Sequence, residues 1–389
     1  MIRNRHIGNA ILLLVSVCFA LLLCEFIARM MLNPRDFLEV EVTLDDVMGV
    51  APTKYAAGTL DKWGFRNPEV PEHADIVAIG DSHTYGFAAT MEDSWPYALS
   101  RLSGQKVYNM ALGGYGPNQY FQLLSTKALQ LKPKIILCGL WMGDDFENAY
   151  RITYGLEHWS YLRKLPPQDV NFDTWVHPEN PDLQKRIRIW LSEHSVTYQL
   201  VFHFSPLVPL KSYFKRKNAP QLDETAVPLI VPDHHIKEAL LPYISLINLD
   251  QDSKGVQEGM RITFELLRQM NEISRQNNIT FVVVLIPLKE RVLSDYLAQD
   301  SKLPLRDMFD KVLQNEAVAR QKTIARLNEL GIPYVDALPA MKQAAEQHLY
   351  AETGDDVHPG RNGYRVIAES VSEWLKRGGT STQQAASRQ

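Results

Sequence analysis

A serine and a histidine, far apart in the chain, have the surroundings of a catalytic nucleophile and its base. Segment 78–82, Ala-Ile-Gly-Asp-Ser, ends an apolar run in the hydroxyl of Ser82. A serine at the carboxyl end of a buried parallel strand can attack a carbonyl when a base lies within hydrogen-bond reach. Segment 355–358, Asp-Asp-Val-His, supplies such a base in His358. The Gly-Asp-Ser turn also fits an ordinary strand-to-helix junction in which Ser82 caps the helix.

Two further turns carry glycines or acids after predicted strands. Residues Asn109 to Gly114 follow a second apolar strand, and Gly143-Asp-Asp145 follows a third. Because the carboxyl ends of parallel strands lie at one edge of a sheet, we expect these turns to meet beside Ser82.

In order, spacing and strand context, these four segments resemble the blocks of the SGNH/GDSL hydrolase family. The resemblance covers residues 73–149 and 255–376. It implies an ester-hydrolysing enzyme with a three-layer αβα fold and a flavodoxin-like parallel sheet of about five strands. The third block departs from the family's pattern, because Asp144 stands where the family usually has an asparagine that stabilises the oxyanion. An aspartate can donate a hydrogen bond there only when it is protonated.

In such a reaction Ser82 would give its proton to His358, and a carboxylate would hold the far nitrogen of the histidine ring. Asp355 lies three residues before the histidine and matches the family's spacing, while Asp356 is its rival for that role. The oxyanion needs hydrogen-bond donors, and we expect the backbone N–H groups of Ser82 and Gly114 to serve, with Asp144 as the third.

Three polar residues near these turns are candidates for substrate contact: His83, Asp145 and Asn148. His83 follows the nucleophile directly, and we favour a role in capping the next helix over a substrate contact. We expect no metal and no cofactor. The pair His234-His235 has no carboxylate or histidine at ligand spacing, so we interpret it as surface.

Short apolar runs alternate with helical patterns, which predicts parallel βαβ units. The predicted strands are 75–79, 107–110, 135–140, 280–286 and 333–336, and the predicted helices are 94–102, 119–131, 259–276, 305–330 and 362–376. We therefore expect one hydrolase-like domain over residues 71–376. The small and polar residues 377–389 predict a disordered tail.

Two segments lack a clear period. Residues 32–70 are rich in proline, glycine and charge, and they predict a tether that lays Trp63 and Phe65 on the surface of the domain. Residues 150–254 predict an insertion packed over the strand ends, where substrate contacts are common.

The N-terminus predicts a membrane anchor. Residues 7–24 carry no charge, and a helix of that length spans about 27 Å, close to a hydrocarbon core. No small-x-small cleavage site follows, so we expect residues 1–31 to be an uncleaved signal-anchor. Basic residues are nearly balanced on its two sides. The short leader and long following chain favour a cytoplasmic N-terminus and an extracytoplasmic domain, in a periplasm or at the cell surface.

Composition excludes some functions. The net charge of −4 gives no basic face, so we expect no binding to nucleic acid. Of the three cysteines, only Cys138 lies outside the apolar N-terminal segment, so we expect neither a disulfide nor a thiolate metal cluster in the domain.

These observations predict a membrane-tethered serine esterase or deacylase. Its substrate would be an acyl ester on a carbohydrate of the cell envelope, which the resemblance to anchored members of such families implies. An O-acyltransferase with the same covalent intermediate stays open, because the sequence does not distinguish water from a sugar hydroxyl as acceptor. A non-catalytic carbohydrate-binding protein, working with partners in polysaccharide biosynthesis or export, is a third hypothesis. The intact Ser82, His358 and Asp355 argue against it.

Overall fold

The computed structural model of the chain describes residues 2–53, 59–166, 182–204, 227–231, 234, 236–299, 303–350 and 357–378. Its strands are β1 (Val42–Asp45), β2 (Gly49–Pro52), β3 (Ile76–Gly80), β4 (Val107–Ala111), β5 (Ile135–Trp141), β6 (Val227–Val231), β7 (Ile236–Leu240), β8 (Thr280–Ile286) and β9 (Tyr334–Asp336). Its α-helices are α1 (Ile2–Met31), α2 (Ser82–Tyr85), α3 (Trp95–Ser103), α4 (Pro117–Thr126), α5 (Asp145–Gly155), α6 (Leu183–His194), α7 (Val196–Phe204), α8 (Pro242–Asn248), α9 (Lys254–Gln276), α10 (Lys289–Val292), α11 (Ser294–Gln299), α12 (Arg306–Glu329), α13 (Leu338–Gln343) and α14 (Arg361–Lys376).

Five parallel strands form the largest sheet, in the order β4-β3-β5-β8-β9. Counted along the chain, this is the 2-1-3-4-5 order of flavodoxin-like sheets. In the register, Ile79 of β3 lies between Met110 of β4 and Cys138 of β5. The predicted fold class is therefore confirmed. The end of β3 lies at the point where the strand order reverses, which is where such sheets place their ligands.

Helices cover both faces of this sheet. On one face α3 and α14 pack together, with Trp95, Leu99 and Ile367 in the same apolar cluster as the strand residues Ile76 and Val284. On the other, α4 and α5 pack against α9. Every residue of β3 is buried, which explains why its sequence is an uninterrupted apolar run rather than an alternating one.

The chain divides into two compact units. One comprises residues 1–42, 52–60 and 177–220, and the other comprises residues 43–51, 61–176 and 221–389 and holds the five-stranded sheet. Residues 379–389 of the predicted tail lie outside the described residues, as do 167–181 and 205–226 of the predicted insertion.

The first unit is built around the end of α1. Residues Ile11–Met31 are long and apolar enough to cross a membrane, a property that a signal sequence near the N-terminus shares. The carboxylate of Glu25 accepts hydrogen bonds from the Ser195 hydroxyl (2.9 Å) and from the backbone N–H of Val196 (3.0 Å), at the start of α7. Ala28 is buried in the same cluster as Val196. The end of α1 is thus packed into the unit.

Residues 61–67 belong to the core of the second unit. Phe65 is 1% exposed. The Arg66 guanidinium is buried and donates hydrogen bonds to the backbone carbonyls of Gly86 (3.1 Å) and Ala89 (3.0 Å). The prediction that Phe65 lies on the surface is therefore wrong. Its apolar residues do not recur at the spacing of a helix or a strand, because the backbone turns around a buried side chain rather than extending along a sheet.

Candidate active site

The turn that carries Ser82 is fixed by the carboxylate of Asp81. This residue is the N-cap of α2, and its Oδ1 accepts hydrogen bonds from the backbone N–H groups of His83 (2.9 Å) and Thr84 (3.4 Å). Asp81 therefore takes the capping role that the sequence left open for Ser82. The Ser82 hydroxyl is left available for another partner.

His358 is that partner. Its Nε2 lies 2.7 Å from Ser82 Oγ, and both residues are half-buried. The histidine lies just before α14, in a segment held where Pro359 bridges to Tyr350. The structure thus brings together the two residues that the sequence predicted as nucleophile and base.

The orienting acid stays a prediction. For Nε2 to accept the serine proton, Nδ1 must carry the other ring proton, and a carboxylate would hold it there. Both candidates, Asp355 and Asp356, lie outside the described residues.

Neighbouring strands hold the nucleophile turn in place. Asn67 and the backbone of Asn109 exchange two hydrogen bonds (2.9 and 3.1 Å), and Asn109 Nδ2 donates to the carbonyl of Thr84 (3.0 Å). Thr84 packs so close to β5 that a Cβ at Gly139 would lie 2.2 Å from its Oγ1. Glycine at position 139 therefore lets α2 lie directly on the sheet.

The loop after β4 approaches the nucleophile, as predicted. A Cβ on Gly113 would lie 3.8 Å from Ser82 Cβ and 3.3 Å from the Phe87 ring. Gly114, the expected oxyanion donor, has a φ of 78°, in the left-handed region that favours glycine. Gly113 thus lies close to Ser82, and the role of the Gly114 N–H as an oxyanion donor stays a prediction.

His83 is buried behind the catalytic pair. Its ring stacks on Trp141 with centroids 4.1 Å apart and lies 4.6 Å from the ring of His358. Its Nδ1 lies 3.2 Å from Asp81 Oδ2. Asp81, and not His83, caps the helix, so the favoured capping role of His83 is wrong, and its side chain, at 1% exposure, is not open to a substrate either. Its ring instead packs the catalytic histidine from one side.

Asp145 is also structural. The residue is fully buried, and its two carboxylate oxygens accept hydrogen bonds from the Tyr120 hydroxyl (2.7 Å) and the backbone N–H of Trp141 (2.8 Å). The predicted substrate contact of Asp145 is therefore wrong. Asn148, the third candidate, is buried too, and its side chain hydrogen-bonds to Asp144.

Asp144 has the environment of a protonated acid. Burial raises its pKa well above the ordinary value, and the charges of Asp81 and Glu147 add to this, while the hydrogen bond with Asn148 opposes it. Burial and the charge of Asp81 raise the pKa of Asp145 as well. Asp144 Oδ1 is buried and has no hydrogen-bond partner within the described part of the chain. An ionised carboxylate would therefore be poorly solvated at this position.

The three carboxylates of Asp81, Asp144 and Asp145 each place one oxygen within 4.8 Å of the others. Clustered oxygens of this kind are what hard cations such as Mg²⁺ and Ca²⁺ prefer. Both oxygens of Asp145 already accept hydrogen bonds, and one oxygen of Asp81 caps α2. The raised pKa values indicate that protons neutralise much of the cluster's charge.

Two aromatic residues of the site are not identified by any sequence motif. Phe87 is 48% exposed, and its ring lies 5.2 Å from that of His358. Trp141 ends β5 and stacks on His83. Single aromatic residues at turns belong to no motif. The one available signal was their position in the sequence, five residues after Ser82 for Phe87 and two residues before Gly143 for Trp141.

The raised pKa of Asp144 makes a prediction about stability. A carboxyl whose pKa is higher in the folded chain than in the unfolded chain stabilises the fold at low pH, and this stabilisation is lost as pH rises through the folded-state value. Asp144→Asn keeps the shape and cannot ionise. Its free energy of unfolding, measured by urea titration at a series of pH values, should therefore fall less with rising pH than that of the wild type. The expected difference is about 1.4 kcal/mol for each unit by which the pKa of Asp144 is raised.

Asp75→Asn is a control, because the pKa of Asp75 is shifted in the opposite direction. A hydrogen bond from the Lys106 backbone and the Lys134 side chain lower the pKa of Asp75, so its charged form stabilises the fold. Its replacement should lower stability above the ordinary pKa of aspartate. If Asp144→Asn behaves like Asp75→Asn, the protonated state assigned to Asp144 is incorrect.

Comparisons with known proteins find similarity only at a low level. No family model matches the chain, and no curated protein matches it. Among solved structures, a GDSL-like lipase from Bacteroides thetaiotaomicron is 11% identical, with 78% of this chain and 88% of that chain covered and a TM-score of 0.36. A catalytic mutant of an acetylxylan esterase from Geobacillus stearothermophilus is 12% identical, with 80% and 97% covered and a TM-score of 0.36. At this level of similarity, a function must be argued from the geometry of the site itself.

Proposed function

We propose that the chain is a serine esterase or deacylase of the SGNH type, tethered to a membrane and acting on an acylated carbohydrate of the cell envelope. The observation that carries the proposal is the 2.7 Å separation of Ser82 Oγ and His358 Nε2 at the carboxyl edge of the parallel sheet. A hydroxyl alone is too weak a nucleophile near neutral pH, and a neutral imidazole at this distance activates it.

The reaction would run in two balanced halves. Ser82 Oγ attacks the ester carbonyl and its proton moves to His358 Nε2; the same proton then leaves with the alcohol as the acyl–serine ester forms. Water next gives a proton to Nε2 and attacks the acyl carbonyl, which releases the acid and restores the serine. A sugar hydroxyl in place of water would give acyl transfer instead.

Stabilisation of the oxyanion would come from three donors. The N–H of Ser82 lies in the first turn of α2, where helical N–H groups have no acceptor within the helix. The loop holding Gly114 supplies a second N–H, and a protonated Asp144 supplies an O–H. An ionised Asp144 would repel the developing charge, so the burial that raises its pKa is also what makes an aspartate usable here.

A bulky, polar substrate fits the exposure of the site. Ser82 and His358 are both partly open to solvent, and the exposed ring of Phe87 lies beside them. An aromatic face of this kind packs well against a sugar ring or an acyl chain. This supports a carbohydrate ester as substrate over a small free ester.

The contacts of α1 support an uncleaved anchor over a signal peptide that is removed. Glu25 and Ala28 lie in the last two turns of the helix, and both pack within the first unit. Cleavage after the apolar segment would remove the carboxylate that caps α7 and open the cluster around Val196. A folded unit that depends on these residues would keep them.

The first test is kinetic. Ser82→Ala and His358→Ala should each lower turnover of a chromogenic acetyl ester by about a thousandfold or more, and the double variant should be no worse than either single one, because the two groups act together. Ser125→Ala on α4 should keep wild-type turnover. An oligosaccharide added to the assay reports acyl transfer if acetylated sugar forms. Equal activity of wild type and Ser82→Ala would overturn the proposal.

The second test concerns topology. With a cytoplasmic N-terminus, the chain after α1 lies outside the inner membrane. Protease added to cells with a permeabilised outer envelope should then degrade both units while a cytoplasmic marker protein stays intact. Full protection of the chain in those cells would place the units in the cytoplasm and contradict the proposed location.

A further inference from the structure

Helix α6 has an apolar stripe that no described residue covers. Leu183, Ile187 and Trp190, at spacings of four and three residues, lie on one face of the helix, and Trp190 is 58% exposed. Ser192, which is buried, lies on the opposite side of the helix. The apolar stripe therefore faces away from the packed part of the first unit.

The position of α6 is fixed by α1. Arg29 of α1 forms an ion pair with Glu25 (2.7 Å), and its guanidinium donates a hydrogen bond to the carbonyl of His194, the last residue of α6 (2.7 Å). Glu25 in turn caps α7, which begins two residues after α6 ends. The junction of α6 and α7 is therefore attached to the last two turns of the apolar helix.

This attachment fixes how deep the end of α6 would lie in a bilayer that α1 crosses. From Glu25 to Met31, the end of the apolar span, the helix rises about 9 Å. Amphipathic helices that lie on a membrane bury their apolar face by roughly 5–10 Å, at the boundary between headgroups and acyl chains. If α1 crosses a bilayer, the end of α6 is held in that same layer.

The charges of α6 match an anionic surface. Lys185, Arg186 and Arg188 are all exposed, and Arg186 lies directly beside the apolar stripe. Long basic side chains in this position can extend toward headgroups while their stems cover apolar surface. Tryptophan is itself common at the membrane interface, because its ring is apolar and its N–H is polar.

We propose that α6 is a second membrane element, which lies in the plane of the bilayer that α1 crosses and inserts Leu183, Ile187 and Trp190 between anionic headgroups. The inference rests on the proposed anchoring by α1. Together, one helix across the bilayer and one along its surface restrict how the first unit can tilt, which a single helix on a loose linker does not do.

The test places spin labels on the full-length chain in vesicles of phosphatidylcholine and phosphatidylglycerol. Cys18 and Cys24 are replaced by serine and the buried Cys138 by alanine. Single cysteines are then introduced as Ile187→Cys on the stripe, Lys185→Cys on the opposite face and Leu14→Cys in the middle of α1. For each spin label, the rate of collision with oxygen, which is concentrated in lipid, is compared with the rate of collision with a water-soluble nickel chelate. The label at 187 should be protected from nickel several-fold relative to that at 185, and it should be shallower than that at 14.

The three positions separate the possible failures. Nickel access at 187 equal to that at 185, with position 14 protected, would overturn the surface role of α6 and leave the anchor intact. Nickel access at 14 would overturn the anchor and this inference with it. Spin–spin broadening between labels at 187 would show that a second copy of the chain covers the stripe, and would also overturn the inference. Vesicles of phosphatidylcholine alone should raise nickel access at 187, since the basic side chains then lose their partners.

Discussion

The geometry of the site depends on one interaction, the capping of α2 by Asp81. Without a side-chain acceptor, the first N–H groups of the helix would have no partner at a buried position. Because Asp81 satisfies them, Ser82 needs no contact with its own helix, and its hydroxyl is directed at His358 instead. The rest of the second unit supports this turn. Asn109 holds it from β4, Gly139 gives it room on β5, and Arg66 holds the chain that follows it.

The same carboxylate imposes a constraint on its neighbours. Asp81 lies close to Asp144 and Asp145, and its charge raises the pKa of both, after the larger effect of burial. Three negative charges in so small a volume would oppose one another and would oppose an oxyanion. Protonation relieves both problems. An aspartate in the third block, where the family that this sequence resembles usually has an asparagine, is compatible with hydrolysis in its protonated form, which burial and the charge of Asp81 favour.

A strand or helix was predictable where a single physical requirement, such as complete burial, determined its residues. β8 occupies the predicted 280–286, since a fully buried parallel strand is a continuous apolar run bounded by proline. Ser82 and His358 were predictable from turn chemistry at a strand end. The burial of Phe65 was not predictable, because apolar residues in a turning segment do not recur at a regular spacing in the sequence. The supporting roles of His83 and Asp145 were not predictable for a different reason. A polar residue beside a nucleophile can contact the substrate or support the turn, and only the packing of Trp141 and Tyr120 on these two residues distinguishes the roles.

The most direct measurement of the central claim is the site of covalent labelling. A fluorophosphonate reacts with a serine only when a base activates its hydroxyl, so the wild-type chain should carry one adduct, located by peptide mass spectrometry at Ser82. His358→Ala should slow labelling at that serine sharply, and Asp144→Asn should permit it. An adduct on another residue, or labelling of Ser82 at an unchanged rate in His358→Ala, would contradict the assignment of these two residues as nucleophile and base.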